Sequence, residues 1–491
     1  MRSTMPAPTP QASAAGVPGA FVPALTAVRS VFLVGLEGTG TSGAARLLRA
    51  RGLAVAGSDR APGARCAALA ALGVRVTPGD APGDLPAALD LLVRSAAVPP
   101  SHPQVAAAHA RGVPVITYAQ VLGALMEGHQ AICVAGCHGK TTTSSLVATA
   151  LLHAGRDPSF VVGGVVGATG TGAHAGRGPA FVAESCEFDR SFHQHRPTVA
   201  IVTNIDEDHL DYYRDLAEIE ESFRVFAARL PAHGVLVVHE DFADVFRRDP
   251  RLKARLQTYG VRDESLWTVR DVRVRRDAPG IAFDVWHAGE RRGEAGIPLL
   301  GMHNALNATA ALAALEAVGL SFEEARAGLA AFAGVGRRLE QVADRRGVLV
   351  LDDYGHHPAE IRAVLQALRS RHAGRRIVVL FQPHQASRTR CLLQDFARAL
   401  AGADAAWLPP IYFARDSEEE RRSVTSEDLA AAVRREGGQA ATVPGLDALA
   451  AHALAQVRTG DVLVTMGAGD VDAVARRIAE GIDGGLAPQL R

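Results

Sequence analysis

Short apolar runs alternate along this chain with longer stretches in which apolar positions recur every three or four residues. Val31–Val34 is a run of the first kind, and a glycine-rich turn and a helical pattern through about Arg51 follow it. Leu53–Ala56 reads as the next strand, ending at Gly57-Ser58-Asp59, and Leu91–Val93 and Val113–Ile116 continue the alternation to about residue 125. Such βα alternation predicts a parallel sheet. A second block opens with Ala131–Ala135 and runs through the strands Ala180–Ala183 and Val199–Val202 to a late helix, Asn304–Val318, with Gly319 as its stop. A third block begins near Arg337. In it Gly347–Leu351, Arg376–Leu380 and Asp461–Thr465 alternate with amphipathic helices at Glu360–Ser370 and Thr389–Ala401. The expected fold class is α/β in three domains: Rossmann-like at the N-terminus, P-loop-ATPase-like in the centre, Rossmann-like at the C-terminus. The expected boundaries are 30–125, 126–335 and 336–491, after a disordered tail over 1–29 rich in Pro, Ala, Ser and Thr.

Composition narrows this picture. A chain of 491 residues is too long for one ordinary core. No apolar run reaches the roughly 18 residues that span a bilayer, and the tail lacks the basic start and apolar segment of a secretory signal. Net charge is zero, so whole-chain charge gives no case for nucleic acid or membrane partners. The five cysteines are scattered without a C-x-x-C pair, which fits a reducing cytoplasm. Of 52 lysine and arginine residues, only Lys140 and Lys253 are lysine. Where arginine serves nearly everywhere, a retained lysine marks a site that needs a compact ammonium.

Lys140 lies in Cys137-His138-Gly139-Lys140-Thr141-Thr142-Thr143, between an apolar strand and a helix. A glycine turn at a helix N-terminus presents backbone N–H groups to phosphates. The lysine then reaches the β- and γ-phosphates, and a threonine hydroxyl ligates Mg²⁺. The strict P-loop pattern has glycine where Val134 stands, so this is a variant. Gly38-Thr39-Gly40-Thr41-Ser42-Gly43 matches G-x-G-x-x-G, with Asp59 at the next strand end. That pattern alone leaves NAD(P), another nucleotide and plain turn geometry all open. Two acidic loops follow neighbouring strands, one with Glu184, Glu187 and Asp189, the other with Asp206, Asp208, His209 and Asp211. They suit a Mg²⁺-ATP site or solvated surface loops. Asn304 and Asn307 share one helix face, placed to read an adenine edge or to cap. In the third block Arg337-Arg338, Asp352–Pro358 and His384–Arg390 collect at strand ends, where open α/β sheets bind ligands.

The order and spacing of these segments, from about Val31 to Asp470, resemble the Mur ligase family. The resemblance implies ATP-dependent amide ligation in peptidoglycan precursor synthesis, the substrates being UDP-N-acetylmuramate, L-alanine and ATP. A ligase that reattaches a preformed peptide is the alternative within the family, and an NAD(P)-dependent oxidoreductase the alternative outside it. It further implies a cytoplasmic monomer or homodimer. Gly38, Gly40, Thr41, Ser42, Gly43, Asp59 and Ser95 would hold the UDP substrate rather than a nicotinamide. Gly136, His138, Gly139, Lys140, Thr141 and Thr142 would bind ATP phosphates, Asn304 and Asn307 adenine, Asp353 the ribose, and Arg338 the γ-phosphate. Thr141, Glu184 and His209 would be metal ligands, with His209 at a second metal or acyl-phosphate position. Lys140, His209 and Arg338 would be catalytic, and Tyr354, His356, His384 and Arg388 would surround the amino acid. Two family positions near that amino acid, an arginine and a tyrosine, are here Gln385 and Ala386. A short Ala386 would leave room beside a methyl-sized pocket, so weaker discrimination against L-serine and glycine is expected.

Overall fold

The structure, a computed structural model, describes residues 23–209, 212–414 and 416–485. Most of the expected tail and Asp211 lie outside the described residues. The described residues form two compact units: one holds 23–207, 212–267 and 310–328, the other 208–209, 268–309 and, from 329 on, the described residues to 485.

The first unit carries two parallel sheets. The N-terminal one has the strand order Arg75–Pro78, Ala54–Asp59, Ser30–Val34, Leu91–Arg94, Val115–Thr117, all parallel. That order places the reversal of winding beside Ser30–Val34, the crevice where such folds take ligands. In the second sheet Arg255–Gly260, Val235–His239, Val199–Val202, Gln130–Ala135, Ala180–Glu184 and Ser159–Val166 run parallel in that order. Thr171–His174 adds an antiparallel strand at its end. The helix Lys140–His153 is buried at every position from Thr141 to Leu151. A helix apolar or small all round belongs inside a fold, so its N-terminus is fixed by packing along most of its length.

In the second unit, six strands pair in the order Glu340–Arg345, Val348–Asp353, Val462–Met466, Ile377–Phe381, Ala405–Leu408, Ala440–Thr442, with only the first antiparallel. Period-two alternation splits each buried strand between two cores. Leu349, Leu351, Val379, Phe381 and Val464 enter one, and Val348, Val350, Val378, Leu380 and Leu463 the other. The hairpin Ile281–His287 with Glu290–Ile297 is antiparallel. Among the described residues, no helix is long and apolar enough to cross a membrane.

The strand from Ala54 ends at Asp59, the end read for it. One reading needs correction, and one set of elements was missed. The helix read over Thr389–Ala401 is two, Ala386–Cys391 and Leu393–Leu400, because Leu392 leaves helical geometry at φ −103° and ψ 20°. The antiparallel strands were not read at all. Glu340–Arg345 buries only Ala343, so an edge strand of this kind carries almost no hydrophobic signal.

Candidate active site

Gly136 and Gly139 hold the phosphate-loop turn at φ +131° and +79°. A Cβ on Gly136 would lie 2.1 Å from Thr203 Oγ1, so the turn tolerates no side chain there. Neighbouring groups fix the loop: Asn204 Oδ1 accepts from His138 N at 2.8 Å, and Asn204 Nδ2 and Thr203 Oγ1 both donate to His138 O. Lys140 Nζ donates to the carbonyls of Gly136 and Cys137 and to both oxygens of Glu187, at 3.1 and 3.0 Å. Burial pulls the ammonium pKa down. The Glu187 carboxylate outweighs this and holds the pKa above the ordinary lysine value. One helical position further on, Thr141 Oγ1 donates to Glu184 Oε2 at 2.9 Å, and Gly163 N donates to the same oxygen at 2.8 Å. A Cβ on Gly163 would come within 2.5 Å of Glu184 Oε2 and 2.9 Å of Thr141 Oγ1. Glycine therefore keeps a clear side on this pair of oxygens, a donor set that suits a hard divalent cation. Thr142 is buried in the first turn.

The acidic loops divide their work. Glu187 pairs with the lysine, whereas Glu184 faces Thr141. Asp208 is committed elsewhere, as described below.

In the N-terminal sheet, the tight turn after Ser30–Val34 is made by Gly35 at φ +87°, while Gly38 has an ordinary φ of −63° and caps the helix Thr39–Ala50. Thr41 Oγ1 donates to the carbonyls of Gly35 and Gly38, and Ser42 Oγ to Thr39 O. Gly40 and Gly43 serve packing: a Cβ would meet the Tyr118 ring at 2.7 Å and Val161 at 2.8 Å respectively. The left-handed glycine of this loop is thus Gly35, three residues before Gly38. Asp59 accepts from Glu37 N and Ala61 N, holding the turn. Ser95 N donates to Val34 O at the next strand end.

The second unit gathers the other candidates. Asn304 donates to Leu300 O at 2.8 Å and accepts from Asn307 at 3.3 Å, so the two amides do share a face. Arg337 and Arg338 differ in task. Arg337 bonds Asp352 and the carbonyls of Gly467 and Gly469, a structural clamp. Arg338 lies 3.6 Å from Glu360 and over the Tyr354 ring at 5.2 Å. The loop that carries it is strained, with Arg337 at φ +61° and Leu339 at φ +48°. Asp353 holds that loop: its carboxylate accepts from Leu339 N at 2.8 Å and Gly355 N at 2.7 Å. Burial raises its pKa to about 6 against the opposing pull of Arg338. His356 Nδ1 sits 3.1 Å from Tyr354 O, which only accepts, so the proton is assigned to Nδ1; burial lowers this ring's pKa to about 3. His384 stacks on Tyr412 and lies 6.0 Å from the His356 ring. Arg388 bonds His384 and Asp208. His209, beside Asp208, takes a left-handed φ of +55°.

Comparison with known proteins decides what these parts belong to. Residues 31–130 match the Mur ligase family catalytic domain, 134–315 the Mur ligase middle domain, and 337–469 the Mur ligase glutamate ligase domain. The chain belongs to the Mur ligase family. The UDP-N-acetylmuramate–L-alanine ligase of Geobacter sp. (strain M21) is 41% identical over 90% of this chain and 95% of its own length. That of Sorangium cellulosum is 40% identical over 94% and 98%. The crystal structure of the UDP-N-acetylmuramate–alanine ligase of Thermotoga maritima matches with a TM-score of 0.76 at 26% identity, covering 93% of this chain and 99% of that one. A murein peptide ligase from Psychrobacter arcticus shares the fold, with a TM-score of 0.68 at 24% identity over 92% and 98%.

In this Mur ligase, Ala386 is fully buried in a small apolar cluster with Ile411 and Val424. Its own side chain therefore faces packed residues. Gln385 is 3% exposed, with a left-handed φ of +67°. Sequence reasoning also missed Gly35, Asn204 and Glu360. Gly35 and Asn204 directly follow or closely follow a strand, the position that should have drawn attention to them. Glu360 closes a capping box whose N-cap is His357, not one of the usual capping residues.

Proposed function

We propose that this Mur ligase joins L-alanine to UDP-N-acetylmuramate and converts ATP to ADP and phosphate through an acyl phosphate. A carboxylate is a poor electrophile, and phosphorylation gives it a leaving group. Phosphoryl transfer depends on positioning and neutralised charge. Lys140, held by two loop carbonyls and Glu187, is the cation for the β- and γ-phosphates, and Arg338 the cation for the transferred group. Gly136, His138, Gly139, Thr141 and Thr142 line the loop, while Asn304 and Asn307 take adenine and Asp353 the ribose. Thr141 and Glu184, with His209, would hold Mg²⁺, which neutralises phosphate charge when bound. Gly38, Thr41, Ser42, Asp59 and Ser95 flank the crevice proposed for the UDP moiety. Tyr354, His356, His384 and Arg388 take the amino acid. The domain boundaries proposed above, a cytoplasmic location and a monomeric or dimeric state belong to the same reading.

The observation that carries it is the compact Lys140–Glu187 and Thr141–Glu184 pair of contacts at the start of a buried helix. Phosphate release with ATP, UDP-N-acetylmuramate and each of the twenty amino acids tests it, with a preformed peptide and NADH as further arms. Release with L-alanine above all others is the expected result. Release only with the peptide would move the assignment to the recycling reaction.

A further inference from the structure

The Arg388 side chain is almost wholly buried, as is Asp208. Asp208 Oδ1 alone accepts from Arg388 Nε at 3.2 Å and Nη2 at 2.9 Å. Arg388 Nη1 meets His384 Nδ1 at 3.2 Å. A guanidinium only donates, so His384 Nδ1 carries the lone pair and the ring's proton sits on Nε2. Of the five N–H groups of an arginine, this leaves one on Nη1 and one on Nη2, two donors for a carboxylate. Asp208 therefore occupies the side edge, Nε with Nη2, and not the terminal edge, Nη1 with Nη2. The same Oδ1 accepts from His209 N at 2.7 Å, so one oxygen holds both the strained His209 backbone and the guanidinium.

We propose that Asp208 is a positioning residue for ligation, fixing Arg388 so that its terminal edge meets the carboxylate of the incoming amino acid. The proposal rests on the reading of Arg388 as the amino-acid contact. Asp208 does not compete for that seat. It aims the arginine, whose Nη1 donates to His384 Nδ1. Charge-assisted bonds of this kind change affinity by about tenfold or more.

The test is steady-state kinetics of Asp208→Asn, Asp208→Ala and Arg388→Lys on the full chain, with separate KM values for L-alanine, ATP and UDP-N-acetylmuramate. Asp208→Asn should raise the KM for L-alanine about tenfold, and Asp208→Ala further, while the other two KM values and the Tm move little. The graded loss, partly rescued by the isosteric amide, is what a general structural role would not give. A fall in the L-alanine KM of Asp208→Ala would show that Asp208 occupies the substrate seat, and would overturn the proposal. So would equal rises in all three KM values. If Asp208→Ala does not fold, Asp208→Asn alone decides between these outcomes. If Arg388→Lys leaves the L-alanine KM unchanged, the amino-acid reading itself fails. If Arg388→Lys raises it and both Asp208 variants do not, only the positioning role fails.

Discussion

Replacing Lys140 by methionine keeps the length of the side chain and removes its charge. Glu187, with only 2% of its side chain exposed, then loses its cation. Breaking a buried pair by deleting one partner typically costs about 3–5 kcal/mol. The carboxyl has an escape, because it can bind a proton instead. At pH 7, protonating a group of ordinary pKa about 4.3 costs about 1.4 kcal/mol per pH unit, or roughly 4 kcal/mol, and that sets a ceiling. Lys140→Met should therefore lose about 3–4 kcal/mol of stability at pH 7. The penalty belongs to the charged carboxylate, so it should shrink as pH falls into the ordinary carboxylate range. Adding Glu187→Gln removes the carboxylate, so the double variant should recover most of the loss and lose its pH dependence. Urea unfolding of the wild type and the three variants across pH 4 to 8 is the assay. A loss below about 1 kcal/mol in Lys140→Met, or no recovery in the double variant, would refute the buried pair.

Lys140→Arg should keep the fold but abolish turnover, because a planar fork does not fit between the carbonyls of Gly136 and Cys137; phosphate release within about threefold of wild type would contradict it. Asp353 is protonated more readily in the folded chain, with a pKa of about 6 against an unfolded 3.8, so stability should fall as pH rises between those values. Asp353→Asn should flatten that fall by about 3 kcal/mol in pH-resolved unfolding. Gly40→Ala places a Cβ 2.7 Å from the Tyr118 ring and should cost about 1–3 kcal/mol, read as a lowered Tm.

Several buried parallel strands were legible because burial on both faces makes a strand read as an unbroken apolar run, though Val235–His239 and Ala405–Leu408, of the same kind, were not read. Val199–Val202 was read with its observed limits, and Leu91–Val93 to within a residue. Strands that expose a face gave no such signal: Glu290–Ile297 has arginine and glutamate at half its positions and buries only Ala295 and Ile297. The break at Leu392 was equally silent, since Thr389–Ala401 keeps a helical period through it.

At the site, what was legible was what a local motif encodes. Lys140 and its glycine turn are contiguous in sequence, and the scarcity of lysine set them apart. Partnerships across long separations were not legible. Glu187 reads as one more acid of a metal loop, yet it is the counter-ion of a lysine 47 residues away. Asp208 reads the same way, yet it bonds an arginine 180 residues on. The residue type is correct in each case, and the chemistry differs because a carboxylate serves equally as metal ligand, ion-pair partner and backbone acceptor. Ala386 shows the same limit in an apolar residue. Small size implies open space only if nothing else fills it, and Ile411 and Val424 fill it here. Gln385, the other departure, is buried in a left-handed conformation at the head of the helix that carries Arg388.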